Sequence, residues 1–416
     1  MSQSVPLKRL FGQPLFRRWA VANLLARLPL TMNLLVLVLV GEALTGEVST
    51  GATLAGGATF AAGATAQWRG RRLDRVELNR GLRTDLGWSS VALAALAGAA
   101  VMGAPVPVML GLAVLLGVAF AAILGGFRAL LVQAVPDDDI EAANAMDAVF
   151  VEVAFVVGPA LAAILALLIP PAGLLLLMSA TFLLAVPMTA GLPTREPVAG
   201  GVDPVGPAPL FTHGATPIYL LGLAAGLVLG SFESLIPARV ESFGFSAESA
   251  GPFLALTALG SGIAGVVAAN QSNQLRRGRL YAAALLGLLS LFFLPVAFAG
   301  QLWVLGIGMF LLGVPLAPLN ALGSLALQRI VAQQRQAEGF SMYTATILIG
   351  AGSGQFLVGF LLPRSTPEAL LASLVAVAGV IALAILGAAM LRRRRGLPPG
   401  LGSDHDPTVT KPSAYA

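Results

Sequence analysis

The chain has no cysteine and only two histidines, His213 and His405. Disulfides and thiolate metal sites are therefore excluded, and so are buried histidine pairs as metal ligands. Charge is also scarce, at 11% of 416 residues, where a soluble domain carries roughly 25%. Polar low-complexity stretches are missing, although there are 48 glycines and 27 prolines. In apolar helices those two residues serve close helix approach and local breaks. No nucleotide-binding loop is present, so no enzyme chemistry and no cofactor are expected. Basic stripes interleaved with aromatics are missing too, so the pI of about 10.2 points to membrane boundaries and anionic lipid, not to nucleic acid.

What remains is hydrocarbon-seeking sequence, 57% hydrophobic with a mean hydropathy of +0.85. A spanning helix needs about 20 mainly apolar residues. Twelve segments meet that length: 19–43, 48–68, 84–102, 105–127, 142–168, 171–190, 216–237, 248–270, 280–299, 302–326, 337–362 and 367–391. The second and eighth are Gly-rich and only moderately apolar. They are included partly because the alternation of charge fails without them.

That alternation is strong. Every second gap is basic: Lys8, Arg9, Arg17 and Arg18; Arg69, Arg71, Arg72, Arg75, Arg80 and Arg83; Arg195; Arg276, Arg277 and Arg279; Arg329 and Arg335; and the run Arg392 to Arg395. The intervening gaps hold only Arg239 and Arg364. Lys and Arg are retained on the cytoplasmic side. The expectation is a multi-pass protein of the cytoplasmic (inner) membrane with both termini inside. No cleavage-type signal precedes the first segment.

The two halves look alike. At an offset of 196, Leu131, Val135, Met146, Gly158, Leu161 and Leu165 meet Leu327, Val331, Met342, Gly354, Leu357 and Leu361. Near the start of each half, Ser49, Gly51 and Leu54 match Ser249, Gly251 and Leu254 at an offset of 200. Agreement between the offsets argues for a parallel six-plus-six repeat. The expected fold is an all-α membrane protein of twelve transmembrane helices in two pseudo-symmetric six-helix bundles. Residues 1–18 form a cytoplasmic N-terminus, 19–190 and 216–391 the bundles, 191–215 a linker, and 392–416 a disordered tail.

Between the second and third segments stands GRRLDRVELNR, Gly70 to Arg80. With the twelve-segment repeat it resembles the major facilitator superfamily, which carries a Gly-x-x-x-Asp-Arg-x-Gly-x-Arg-Arg-like loop here. Gly70, Asp74 and Arg75 match; Glu77 stands at the glycine position, and Asn79-Arg80 replaces the basic pair. Gly158-Pro159 in the fifth segment resembles the antiporter branch, with Ala162-Ala163 where a small pair often follows. The resemblance covers residues 12–392 and implies transport by alternating access, with a monomer sufficing. It also implies that Asp74 contacts the start of the eleventh helix, near Glu338 to Ser341, and breaks that contact during transport. The competing reading of Asp74 is a solvated, topology-setting charge. Asp137, Asp138, Asp139 and Glu141 lie in the next cytoplasmic loop and are candidates to pair with the arginines of the motif.

Ionisable residues inside spans default to a functional hypothesis, because burying charge there costs several kcal/mol. Glu152 lies about ten residues into the fifth segment, roughly 15 Å deep. Arg27 is about eight residues into the first, at similar depth. They are expected to face one cavity and pair, with Glu152 carrying a proton when unpaired; the alternative is a permanent structural ion pair. Asp147, five residues before Glu152, points about 140° away and is expected to cap or hydrogen-bond locally. Glu233 in the seventh segment is a candidate for the cavity wall opposite Arg27. Arg128 in the fourth either anchors an acid or snorkels. Gly158 and Pro159 are a hinge or a fixed kink, as are Pro315 and Pro318. Glycine ladders at Gly51, Gly56 and Gly63, at Gly260, Gly262 and Gly265, and at Gly350, Gly352 and Gly354 mark close helix contacts.

Together these features point to a proton-coupled exporter of small amphipathic, often cationic, molecules. Uptake or facilitated diffusion of a polar metabolite is the alternative, with Asn23, Asn33 and Asn320 as its polar groups. A non-transporting sensor on the same fold is a third reading.

Overall fold

The computed structural model describes residues 9–193, 215–269, 274–331 and 336–394. The linker core, the tail from 395, Lys8, Arg195, Arg335 and both histidines lie outside them, as do the side chains of Arg276, Arg277, Arg279, Arg392, Arg393, Arg394, Asp137 and Glu141. Among the described residues the regular structure is helical throughout. In chain order the α-helices are α1 (Pro14–Thr45), α2 (Val48–Asp74), α3 (Leu78–Val101), α4 (Val106–Phe120), α5 (Ile123–Ala134), α6 (Ile140–Ala166) and α7 (Pro171–Ala190). The second half holds α8 (Thr216–Glu241), α9 (Ala250–Ala269), α10 (Gln274–Ala297), α11 (Leu302–Gly313), α12 (Leu316–Ile330), α13 (Gln336–Leu361) and α14 (Pro367–Arg394).

Each of the twelve segments read from the sequence is occupied by helix. Two of them, Val106–Ala134 and Leu302–Ile330, are each built from two helices joined at a break (α4–α5 and α11–α12). Among the described residues, nine are both long and apolar enough to cross a membrane. Glycine-rich α2 is not among them, and α10 and α14 contribute only shorter apolar stretches, Ala284–Ala297 and Pro367–Val377. Helices dominate because hydrocarbon offers no partner to a backbone N–H or C=O, and a helix pairs both internally.

Helix starts are set by proline more than by polar caps. Pro14, Pro171 and Pro367 each occupy a first helical position, where the missing N–H costs nothing. α1 stops at Gly46, whose φ of 74° is the left-handed conformation that glycine adopts without strain. Its N–H donates to the Glu42 carbonyl at 2.7 Å.

The repeat is visible in the element boundaries. α4 and α7 start at Val106 and Pro171; α11 and α14 start at Leu302 and Pro367. Each pair differs by 196, the offset that aligned the two halves in sequence. Burial repeats as well. On α5, Leu124, Gly125, Arg128, Ala129 and Val132 are exposed; 196 positions on, α12 exposes Asn320, Ala321 and Gln328 and half-exposes Ser324.

The halves meet where side chains are smallest. A Cβ on Gly56 would strike the backbone of Phe356, and one on Gly63 the backbone of Ile349, so α2 and α13 approach to backbone contact. α8 and α13 interlock similarly: Gly226 abuts Ile347, Gly230 abuts Ala351, and Gly350 and Gly354 abut Leu223 and Leu227. Gly251 of α9 lies on Pro159 and Ala163 of α6. The second span thus packs beside the eleventh and the fifth beside the eighth. Away from the arginine-rich loops, Glu42 of α1 and Glu241 of α8 lie side by side across the two halves.

Candidate functional site

The polar centre of the first half is built on Asp147 of α6. Its Oδ1 accepts from Arg27 Nη2 at 2.7 Å and from Asn23 Nδ2 at 3.0 Å, both on α1. Its Oδ2 accepts from Arg128 Nε of α5 at 3.1 Å. Arg27 also donates to Asn23 Oδ1 at 3.3 Å, and its Nε is buried with no partner. Arg27 is 3% exposed, whereas the Arg128 side chain is 65% exposed. The buried Trp19 indole donates to the Phe127 carbonyl at 2.8 Å, which holds α5 against α1 beside Arg128.

The expected partner of Arg27 was Glu152; the structure gives it Asp147. Helical side chains lean toward the N-terminus of their own helix. Arg27 therefore reaches back toward the level of Asn23, where Asp147 lies. The 140° separation of the two acids holds, but with their tasks exchanged. Asp147 faces α1 and α5 and is no local cap. Glu152 faces α9, where a Cβ on Gly262 would stand 3.2 Å from Glu152 Oε2. Neither Glu152 nor Glu233 has a polar side-chain partner among the described residues, and both are half-buried. Glu233 follows Phe232, which packs edge-on to Phe293 at 5.5 Å. Arg27, spent on Asp147, does not face it as a pair.

The motif loop also differs from expectation. Asp74 is exposed and unpartnered among the described residues. The contact with α13 is made one turn earlier, by Arg71 Nη2 to Glu338 Oε1 at 3.4 Å and Gln67 Nε2 to the same oxygen at 3.5 Å. Glu338 lies in the first turn of α13, and Asp74 stands three residues beyond Arg71. Gly70 has open space around its Cα and Arg75 is exposed. Asp139 binds Arg9 at 3.3 Å and Gln13 at 2.7 Å, not the arginines of the motif.

Sequence reasoning missed a second buried cluster. Arg69 Nη2 donates to Asp85 Oδ1 at 2.5 Å and to the Ala119 carbonyl at 3.3 Å, and Arg72 Nη1 reaches the same Asp85 oxygen at 3.1 Å. Asp85 is fully buried at the start of a span. An acid inside a segment that opens with Arg80 and Arg83 was the available signal. Arg239, read as a topology charge, is likewise buried and paired with Glu368 of α14.

Gly158 packs on Thr31 of α1, and Pro159 sits inside a continuous α6. The pair thus seats α6 on α1. A small apolar cavity of about 40 Å³ lies within the second half, lined by residues such as Leu221, Val228, Phe232, Leu289, Phe293 and Leu316.

Residues 19–285 match the family model of the Major Facilitator Superfamily. The chain belongs to that superfamily. No curated protein matches in sequence. Among solved structures, a single-site variant of the nucleoside transporter NupG superposes with a TM-score of 0.71 at 14% identity, covering 89% of this chain and 99% of that one. Unmodified NupG gives 0.70 at 13% identity, with 90% and 99% covered. The human organic anion transporter MFSD10 gives 0.61 at 18% identity, again with 90% and 99%. At such identities the likeness shows the major facilitator fold alone.

Proposed function

We propose that this major facilitator protein is a secondary transporter that exports small amphipathic molecules in exchange for protons. The observation that carries the reading is Glu152: an acid on α6 with no basic partner among the described residues, set against Gly262 of α9 in the other half. A carboxyl at the seam between two moving bodies changes its surroundings whenever they rock, so it is placed to take a proton in one state and release it in the other.

On this reading 19–190 and 216–391 are the rocking bundles and 191–215 joins them. Both termini face the cytoplasm, a single chain in the cytoplasmic membrane suffices, and protons, lipid and the small molecule are its partners. The exposed Arg71–Glu338 pair is worth about 0–1 kcal/mol, weak enough to open each cycle as a gate between α2 and α13. The kinship in fold to nucleoside and organic anion transporters supports transport of small solutes.

Energised everted vesicles, loaded with a pH dye and exposed to a panel of amphipathic compounds, test the proposal. Proton release evoked by a compound in the wild type and lost in Glu152→Gln is the expected result. Folded protein that stays silent across the panel would overturn export and favour uptake or facilitated diffusion.

A further inference from the structure

The Asp147 cluster is not neutral. It holds two guanidinium groups, Arg27 and Arg128, and one carboxylate, which leaves one positive charge. The buried Arg27 is matched by Asp147 at 2.7 Å. The surplus therefore falls on Arg128, which uses its Nε on Asp147 and keeps both terminal nitrogens without a protein partner among the described residues. A surplus charge inside a bundle is costly, and an anion would relieve it.

The exposed face of α5 carries Arg128 beside Leu124, Gly125, Ala129 and Val132. Its equivalent on α12, 196 positions on, exposes Asn320 and Gln328 and half-exposes Ser324, and polar groups on a spanning helix line water-filled paths or the bundle interior. Both helices present the same face, one carrying a cation and the other amides and a hydroxyl. We infer that the α1–α5–α6 wall is a substrate anion site. Arg128 receives the carboxylate, sulfonate or phosphonate of the amphipath through its free planar N–H fork, while Asp147 holds the guanidinium in place. The two unpartnered acids stand elsewhere, so a cationic headgroup finds no carboxylate at this wall. The preference for cations suggested by the sequence is reversed. This inference rests on the transporter reading and names its substrate class.

Binding is tested on the purified full-length chain with probes of one size: radiolabelled benzoate, competed by phenylphosphonate, benzyl alcohol or benzyltrimethylammonium. Benzoate is expected to be displaced by phenylphosphonate and not by the alcohol or the cation. Its affinity is expected to fall at least tenfold in Arg128→Gln and to be largely kept in Arg128→Lys. Arg128 is exposed, so both variants should fold, and a size-exclusion profile checks this. Unchanged benzoate affinity in Arg128→Gln would overturn the inference; so would tighter binding of benzyltrimethylammonium than of benzoate. Loss of co-purifying phosphatidylglycerol in Arg128→Gln with benzoate binding intact would also overturn it, leaving Arg128 a headgroup anchor. Proteoliposome flux separates the two proposals. Proton-linked flux of benzyltrimethylammonium alone would keep the transporter and remove the anion site, whereas Arg128-dependent benzoate binding with no flux of any probe would keep the site and remove the transporter.

Discussion

Replacing Asp147 by Asn tests the buried network most directly. The wild-type carboxylate satisfies Arg27, Asn23 and Arg128 at 2.7, 3.0 and 3.1 Å. Asn keeps the shape and removes the charge, so Arg27, 3% exposed, becomes an uncompensated buried cation. Removing one partner of a buried pair costs about 3–5 kcal/mol, or a factor of roughly 100 to a few thousand in the unfolding equilibrium. Arg27→Gln should be milder. It leaves Asp147 with Arg128 and Asn23, so the loss is that of one charged hydrogen bond, about 1.5–3 kcal/mol. The double variant Arg27→Gln, Asp147→Asn has no orphaned charge at the α1 end of the network and should be more stable than Asp147→Asn alone. Equilibrium denaturation in mixed micelles measures all three against wild type, and the coupling follows from the double-mutant cycle. Losses that simply add would refute the pairing. So would an Arg27→Gln variant as unstable as Asp147→Asn, because the charge surplus assigned to Arg128 would then be misplaced.

Other expectations follow from the same geometry. Glu152→Gln should abolish proton-coupled flux while leaving expression and micelle stability within about 1 kcal/mol of wild type, since no ion pair is lost; flux assays and denaturation are read side by side. Glu338→Gln should alter turnover in vesicles with at most about 1 kcal/mol of stability change, and Asp74→Asn should alter it less if Arg71 is the gating contact in this state. Gly354→Val should cost about 1–3 kcal/mol or prevent assembly, because its Cβ would overlap the backbone of Leu227; thermal denaturation of the purified chain checks it. Asp85→Asn should destabilise about as strongly as Asp147→Asn, because Arg69 is also buried.

The fold was legible because two physical constraints write themselves into one dimension. Hydrocarbon thickness sets the length of each apolar run, and the retention of arginine on one side sets the rhythm of the gaps. The offset of 196 read from six identities reappears in two helix starts, since a duplicated bundle keeps its element lengths even after its residues diverge. Pairing inside the bundle was less legible. Depth counted from a segment edge placed Arg27 level with Glu152, but an arginine reaches several ångströms toward the start of its own helix, and only the packed structure shows which acid waits there. The angular argument fared better: the 140° between Asp147 and Glu152 does send them to different helices, and the error lay in deciding which face was the bundle interior. Asp85 and Arg69 escaped notice because each sits near a span edge, where a charge reads as topology. What separates an edge charge that only marks a side from one that holds helices together is burial, and burial depends on neighbours as distant in sequence as Ala119, 50 residues from Arg69. The same distinction now divides the arginines. Arg69, Arg27 and Arg239 are consumed by Asp85, Asp147 and Glu368, whereas Arg128 is bound by one nitrogen and open at the other two among the described residues. An arginine held in place with two nitrogens left over has its donors arranged to receive an anion.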